Sequence, residues 1–237
     1  MTGIALAYDV ATLEQALDLD ARIGPGPEIA KVGLELFAAA GPEAVLALKA
    51  RGRSVFLDLK LHDIPNTVRG AARAAAALGA DLLTVHAAGG RAMIEAAVEG
   101  AMSAGGGMRV IAVTLLTSLD PGELPPGFAA PFDLAGVAAK LLTMAESAGA
   151  HGIVCAAPDL PGILALHGRP FFAVTPGIRP AGEATHDQRR VTTVAEAVRL
   201  GSSLLVLGRA ITEAEDPAAA LASARAECQA AQGAPST

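Results

Sequence analysis

The chain has 237 residues, a mass of 23.7 kDa and a formal net charge of −6. Hydrophobic residues make up 52% and charged residues 18%, which excludes a disordered chain and a mini-protein that needs disulfides or metals to fold. The negative charge argues against nucleic acid as a partner, because that affinity comes from clustered Lys and Arg. Every apolar run is shorter than the ~20 residues that span a bilayer, so we expect no membrane partner.

The cysteines and the N-terminus indicate a cellular location. Cys155 and Cys228 are far apart and neither sits in a paired motif, which is typical of free thiols in a reducing compartment. The N-terminal residues lack a basic segment followed by an apolar block, the pattern of an export signal. We therefore expect the cytoplasm.

One unit recurs along the chain: a helical pattern, then a glycine, then a short apolar run that ends in a polar residue. The predicted strands, in chain order, are 4–8, 28–32, 54–58, 81–86, 109–114, 152–155, 171–175 and 203–207. Nearly continuous apolar strands are typical of a parallel sheet that helices cover on both faces. Eight such units predict a single-domain (β/α)8 TIM barrel over 1–231, with a loose tail over 232–237. A doubly wound open sheet is the alternative, but it commonly carries a Gly-rich turn after its first strand, and none is found here.

The densest chemical motif is DLKLHDIPNT, residues 58–67. Strand side chains alternate between faces, so we expect Asp58 and Lys60 to enter the barrel mouth side by side, where such barrels hold their catalytic groups. Asp9 and Lys31 end the first two predicted strands, which makes an alternating array of carboxylates and ammonium groups plausible. A structural ion pair is the alternative interpretation of Asp-x-Lys. The scarcity of lysine weighs against it: the chain has lysine only at 31, 49, 60 and 140.

A second motif is basic and follows the last two predicted strands. The segment 176–191 is long for a barrel loop and holds Arg179, while Gly208 and Arg209 open a helix after the eighth strand. Barrels bind phosphate at these two places, because free backbone N–H groups and the helix dipole favour an anion. The placement favours a phosphate site over a solvated basic loop, and the loop length indicates a closing lid.

The motif at 58–67 resembles the signature of the orotidine 5′-phosphate decarboxylase family. Further matches follow in the family's order at 7–9, 31–33, 85–90, 116–118, 175–180, 187–190 and 207–211. The resemblance runs from near residue 4 to near residue 212. It implies that orotidine 5′-phosphate loses CO2 to give UMP, the last step of de novo pyrimidine synthesis, with no cofactor and no metal.

The resemblance also implies roles for the array. Asp58 would lie against the departing carboxylate and stress it, and Lys60 would stabilise the charge that develops at C6 and then protonate it. Lys31 and Asp9 would complete the array and contact the ribose hydroxyls. Asp58 and Lys31 are therefore both catalytic and substrate-binding candidates.

Other site residues are implied by the same resemblance. Asp63, a catalytic candidate, and Thr67 would reach into the neighbouring subunit's site, which implies an obligate homodimer. The remaining contacts to the pyrimidine and the phosphate would come from Thr117, Ser118, Arg179, Gln188, Gly208 and Arg209.

Two alternative functions remain compatible with the sequence. Relatives in the same barrel superfamily act on sugar phosphates through a metal-stabilised enediolate and share Asp-x-Lys-x-x-Asp, but they carry an acidic residue where this chain has Lys31. A non-catalytic nucleotide-binding barrel would need no proton donor, so Lys60 weighs against it.

Overall fold

The computed structural model describes residues 2–26, 28–117, 133–179 and 192–233. The strands are β1 (Gly3–Ala7), β2 (Ile29–Val32), β3 (Val55–Leu61), β4 (Leu82–His86), β5 (Arg109–Val113), β6 (Gly152–Val154), β7 (Phe172–Arg179), β8 (Thr192–Thr193) and β9 (Leu204–Leu207). The helices are α1 (Leu13–Ile23), α2 (Leu34–Ala40), α3 (Pro42–Ala50), α4 (Pro65–Ala77), α5 (Arg91–Ser103), α6 (Leu134–Ser147), α7 (Leu160–His167), α8 (Val194–Arg199), α9 (Arg209–Thr212) and α10 (Pro217–Gly233). Within these ranges no helix is both long enough and apolar enough to cross a membrane.

The strands pair in parallel and close on themselves. Their order is β6-β5-β4-β3-β2-β1-β9-β7, and β6 also pairs with β7. The two-residue β8 pairs in parallel with the last two residues of β7 and is not one of the eight strands that close the barrel. The result is an eight-stranded parallel barrel with helices between its strands, which confirms the predicted (β/α)8 TIM barrel. Because β1 pairs with both β2 and β9, the first and last strands of the barrel lie side by side.

Strand alternation divides the apolar residues into two layers. Leu57 belongs to the layer between strands and helices, and its neighbour Phe56 belongs to the barrel interior. The buried interior residues are Ala5, Ala7, Phe56, Leu82, Ile111, Val113, Val154, Val174, Leu204 and Val206. Most of them are branched aliphatic residues, with two alanines and one phenylalanine. Five of them, Ala7, Phe56, Val154, Val174 and Val206, also border a cavity at the carboxyl ends of the strands.

Two helices begin directly after a residue whose side chain caps them. Thr12 precedes α1, and its Oγ1 accepts from the backbone N–H of Gln15 at 3.2 Å. Asp216 precedes α10, and its Oδ1 accepts from the backbone N–H of Ala219 at 3.0 Å. Both side chains satisfy an N–H group that the first turn of a helix leaves without a partner.

Two predicted boundaries differ from the structure. β7 continues to Arg179, so residues 176–179 lie in a strand and not in the loop predicted to begin at 176. The register between β7 and β9 shifts between Thr175 and Ile178, and Gly177 has a φ of +77°, which a glycine adopts without strain. The domain was predicted to end at 231, but α10 reaches Gly233, and Gln232 Nε2 donates to the carbonyl of Thr2 at 3.1 Å.

Candidate active site

Strand β3 carries a bulge at its carboxyl end. β3 advances from Leu57 to Leu61 while β4 advances only from Leu83 to Val85, so β3 holds two extra residues there. Lys60 lies in this bulge with a φ of +50°, and no other non-glycine residue of the described ranges has a positive φ. Such backbone strain is concentrated at functional sites. The expected strand alternation therefore fails at Lys60.

Asp58 and Lys60 nevertheless lie side by side, and Lys31 and Asp9 continue the row. Lys60 Nζ is 2.8 Å from Asp58 Oδ2, Lys31 Nζ is 3.8 Å from that same oxygen, and Lys31 Nζ is 2.9 Å from Asp9 Oδ1. The exposed fraction of the side chain is 8% for Lys31, 13% for Asp58, 30% for Lys60 and 52% for Asp9. We call these four residues the charged array. Its signs alternate, so mutual attraction offsets the cost of removing the charges from water.

Gly33 makes room for one end of the array. A Cβ at this position would lie 2.6 Å from Asp9 Oδ1 and 3.0 Å from Lys31 Nζ. Real Cβ atoms do not approach other atoms so closely, and any other residue would push the pair apart. The sequence contains this glycine in the segment 31–33, but its steric role follows only from the folded positions of Asp9 and Lys31.

Thr84 of β4 is a site residue that sequence reasoning missed. Its Oγ1 donates to Asp58 Oδ1 at 2.8 Å and accepts from the backbone N–H of Lys60 at 2.9 Å. The residue is fully buried. A threonine in an apolar strand is typical of β structure in general. Strand alternation in the sequence could have identified it, because Leu82, Thr84 and His86 are every second residue of β4 and therefore lie on its inner face.

His86 stands at the rim above Thr84. Its ring centroid is 5.5 Å from that of His62. Burial lowers the pKa of His86, and the neighbouring His62 and Lys60 lower it further, while Asp58 acts in the opposite direction. His86 is therefore neutral at pH 7 and adds no positive charge beside Lys60.

The charged array opens into a cavity of about 580 Å³. Ala7, Phe56, Val154, Val174 and Val206 give it an apolar floor. Besides the members of the charged array, four predicted binding residues lie in its walls: Thr117, Arg179, Gly208 and Arg209. The predicted Ser118 and Gln188 lie outside the described residues. Two acidic residues that sequence reasoning did not select, Glu35 and Glu213, also line this cavity.

The two arginines reach the cavity from neighbouring strands. Arg179 ends β7, and Arg209 begins α9 directly after β9, while β7 and β9 pair with each other. The charged array comes from the ends of β1, β2 and β3. The cavity therefore has a basic wall on one side and the alternating charges on another, an arrangement that suits a ligand with an anionic group at one end.

Asp63 and Thr67 do not join the array of their own chain. Asp63 is exposed, and its Oδ1 accepts from the backbone N–H of Ile64 at 2.6 Å. Within the part of the chain that the structure describes, Asp63 forms no hydrogen bond or ion pair with the array, and neither residue lines the cavity. Residues 62–67 are all exposed, and the apolar side chain of Ile64 is 67% exposed.

Among the described residues, the donor set of this site does not suit a metal ion. Across residues 2–26, 28–117, 133–179 and 192–233, no group of three or more His, Cys, Asp and Glu is placed to hold an ion. Lys31 lies between Asp9 and Asp58, with its Nζ 2.9 Å from Asp9 Oδ1 and 3.8 Å from Asp58 Oδ2. The cationic position among these carboxylates is therefore filled by an ammonium group.

A sequence profile described as "Orotidine 5'-phosphate decarboxylase / HUMPS family" matches residues 2–224. This match spans nearly the whole barrel, from the residue before β1 into α10. The chain belongs to this family. The resemblance found in the motif at 58–67 is thereby confirmed.

Individual members of the family are similar over almost their whole length. A protein of Anaeromyxobacter sp. (strain K) is 54% identical over 218 residues, which are 92% of this chain and 94% of that protein. A protein of Cutibacterium acnes is 49% identical over 220 residues, 93% of each chain. Both are named orotidine 5′-phosphate decarboxylase. The crystal structure of orotidine 5′-phosphate decarboxylase from Lactobacillus acidophilus superposes with a TM-score of 0.84 at 36% identity, covering 96% of this chain and 99% of that one.

Proposed function

We propose that this chain decarboxylates orotidine 5′-phosphate to UMP, the last step of de novo pyrimidine synthesis, in the cytoplasm and without a cofactor. The observation that carries the proposal is the charged array at the edge of a cavity that Arg179 and Arg209 also line. Two relatives of about half-identical sequence bear the name of this activity.

The chemistry requires strong electrostatic assistance. When CO2 leaves C6, the electron pair of the broken bond stays on C6, in an orbital that no carbonyl or imine delocalises well. Catalysis then depends on charges that are already in place where charge develops. An array of fixed, alternating charges meets this requirement.

Asp58 would face the departing carboxylate. Two unit negative charges about 4 Å apart repel by about 4 kcal/mol at an effective dielectric constant near 20, and this repulsion ends once neutral CO2 has formed. Asp58 cannot readily turn away, because Thr84 holds its Oδ1 and Lys60 holds its Oδ2. The stress therefore acts on the substrate.

Lys60 would stabilise the carbanion and supply the proton. Its Nζ is partly exposed toward the cavity and lies 2.8 Å from Asp58. One N–H proton moves to C6, the electron pair of C6 forms the new C–H bond, and the neutral amine regains its proton from solvent. Release of UMP and CO2 completes the balance.

Substrate recognition divides between the walls of the cavity. Lys31 and Asp9 would bind the ribose hydroxyls, and Thr117 with Ser118 would bind the pyrimidine. The phosphate would lie among Arg179, Gln188, Gly208 and Arg209. The assignments of Ser118 and Gln188 rest on the family resemblance alone.

The proposed assembly is a homodimer in which Asp63 and Thr67 complete the partner's site. Two observations on the described residues support it: 62–67 are exposed, and no hydrogen bond or ion pair joins Asp63 to the array of its own chain. Mixing the inactive variants Lys60→Ala and Asp63→Ala tests it. In a two-fold dimer, each mixed dimer has one intact site of its two. Random exchange makes about half of the dimers mixed, so about a quarter of wild-type activity should return. If Asp63 acts within its own chain, the mixture stays inactive.

The test of the activity is the loss of orotidylate absorbance in a buffer with a chelator and no added metal. We expect UMP to form at the same rate with and without the chelator. Loss of activity that Mg²⁺ reverses would favour a metal-dependent sugar-phosphate enzyme of the same superfamily. Binding of UMP without turnover would favour a non-catalytic nucleotide-binding barrel.

A further inference from the structure

Thr84 lies beneath the charged array and contacts two of its members with a single hydroxyl group. The direction of each hydrogen bond is fixed, because the backbone N–H of Lys60 can only donate and the ionised carboxylate of Asp58 can only accept. The hydroxyl therefore accepts from Lys60 at 2.9 Å and donates to Asp58 Oδ1 at 2.8 Å. It is buried, so water does not compete for either bond.

The bulge of β3 explains why Lys60 needs this partner. With two extra residues between Leu57 and Leu61, β3 leaves the regular ladder with β4. The backbone N–H of Lys60 is thereby separated from the carbonyl groups of β4, and a buried N–H without an acceptor is unfavourable. The hydroxyl of Thr84 takes the place of that carbonyl. It also supports the left-handed backbone of Lys60, which persists only where the surroundings hold it.

The same hydroxyl fixes the rotation of the Asp58 carboxylate. Thr84 holds one oxygen, and Lys60 and Lys31 lie near the other. Both oxygens of the Asp58 carboxylate therefore have partners, and the carboxylate cannot rotate without breaking a contact. A change at Thr84 would alter the direction of Asp58 and the backbone of Lys60 together.

We propose that Thr84 is a positioning residue for the decarboxylation, acting through Asp58 and Lys60 without touching the substrate. This inference rests on the proposed function. It predicts a loss in the chemical step and little loss in binding, because Thr84 is absent from the cavity wall.

The test compares Thr84→Val, which keeps the shape and removes the hydroxyl, with Thr84→Ser, which keeps the hydroxyl. We expect Thr84→Val to lower kcat about 10- to 100-fold, since small misplacements of catalytic groups have effects of this size. KM and the Kd for UMP should stay within about threefold, and Thr84→Ser should keep kcat within about threefold. Should the valine variant not fold, Thr84→Ala against Thr84→Ser gives the same comparison with one oxygen atom changed.

Three outcomes overturn the proposal: kcat of the hydroxyl-free variant within threefold of wild type, an equal loss in the serine variant, or a loss of UMP affinity as large as that of kcat. A wild-type protein without turnover would instead refute the proposed function. The contact between the two side chains is tested separately by a double-mutant cycle of Thr84→Val with Asp58→Ala in urea unfolding, because alanine removes the oxygen that accepts from Thr84. Non-additive effects support coupling of the two side chains, and additive effects overturn it.

Discussion

Replacement of Lys60 by glycine should yield a more stable protein than replacement by alanine. Both variants lack the ammonium group and its ion pair with Asp58, so they differ only by a Cβ at a backbone φ of +50°. A Cβ in the left-handed region costs roughly 1–2 kcal/mol. The greater freedom of glycine in the unfolded chain offsets about 0.4–1 kcal/mol of this gain. The expected net difference is about 1 kcal/mol in favour of glycine.

Thermal and urea unfolding followed by circular dichroism measure this difference. For a chain of this size, 1 kcal/mol corresponds to a change in Tm of about 2–4 °C. Both variants should also lose nearly all turnover while keeping the fold. A glycine variant with a Tm at or below that of the alanine variant would refute the strained backbone at Lys60.

Asp58 supplies a matched control in the same strand. Its φ is not positive, so glycine there has only its entropic disadvantage. Asp58→Gly should therefore be less stable than Asp58→Ala by about 0.5–1 kcal/mol. The difference in unfolding free energy between the glycine and alanine variants is therefore expected to have opposite signs at positions 60 and 58. This sign change distinguishes backbone strain at Lys60 from any general effect of glycine in β3.

The remaining predictions concern three further residues. Arg209→Ala should chiefly raise KM for orotidylate, and an equal fall in kcat with unchanged KM would contradict a phosphate-binding role. Gly33→Ala should lower kcat at least tenfold with little change in Tm, because flexible side-chain tips of Asp9 and Lys31 give way; wild-type kcat would contradict this. Because the pKa of His86 is lowered, the unfolded chain binds more protons just below pH 6.5, so stability falls as the pH drops through that window. His86→Gln should reduce this slope of Tm between pH 7.5 and 5.5, and parallel curves would argue against it.

The barrel was predictable because its signals are local and repeated. Each strand is a short apolar run after a glycine, and a parallel sheet needs just such strands. The ends of the first three strands placed Asp9, Lys31, Asp58 and Lys60 near each other, since the carboxyl ends of neighbouring strands meet at one mouth. No pairing partner had to be known for these inferences.

The features that were missed depend on pairing and not on local pattern. The bulge at Lys60 is a mismatch between β3 and β4, so strand alternation in β3 alone could not show it. The roles of Thr84 and Gly33 follow from contacts of 2.6–2.9 Å with residues that lie on other strands or directly after them. Thr175 was predicted to end its strand. The register with β9 shifts after Thr175, where Gly177 adopts a positive φ, and pairing continues at Ile178.

The adjacency of β1 and β9 bears on how the protein is made. The charged array lies on strands near the start of the chain, whereas Arg179 and Arg209 lie close to its end. During synthesis, the barrel can close only when β9 reaches β1, and Arg209 directly follows that strand. Closure of the barrel and arrival of Arg209 at the cavity therefore depend on the same segment of the chain. A nascent chain that stops before β9 has neither a closed sheet nor a complete basic wall.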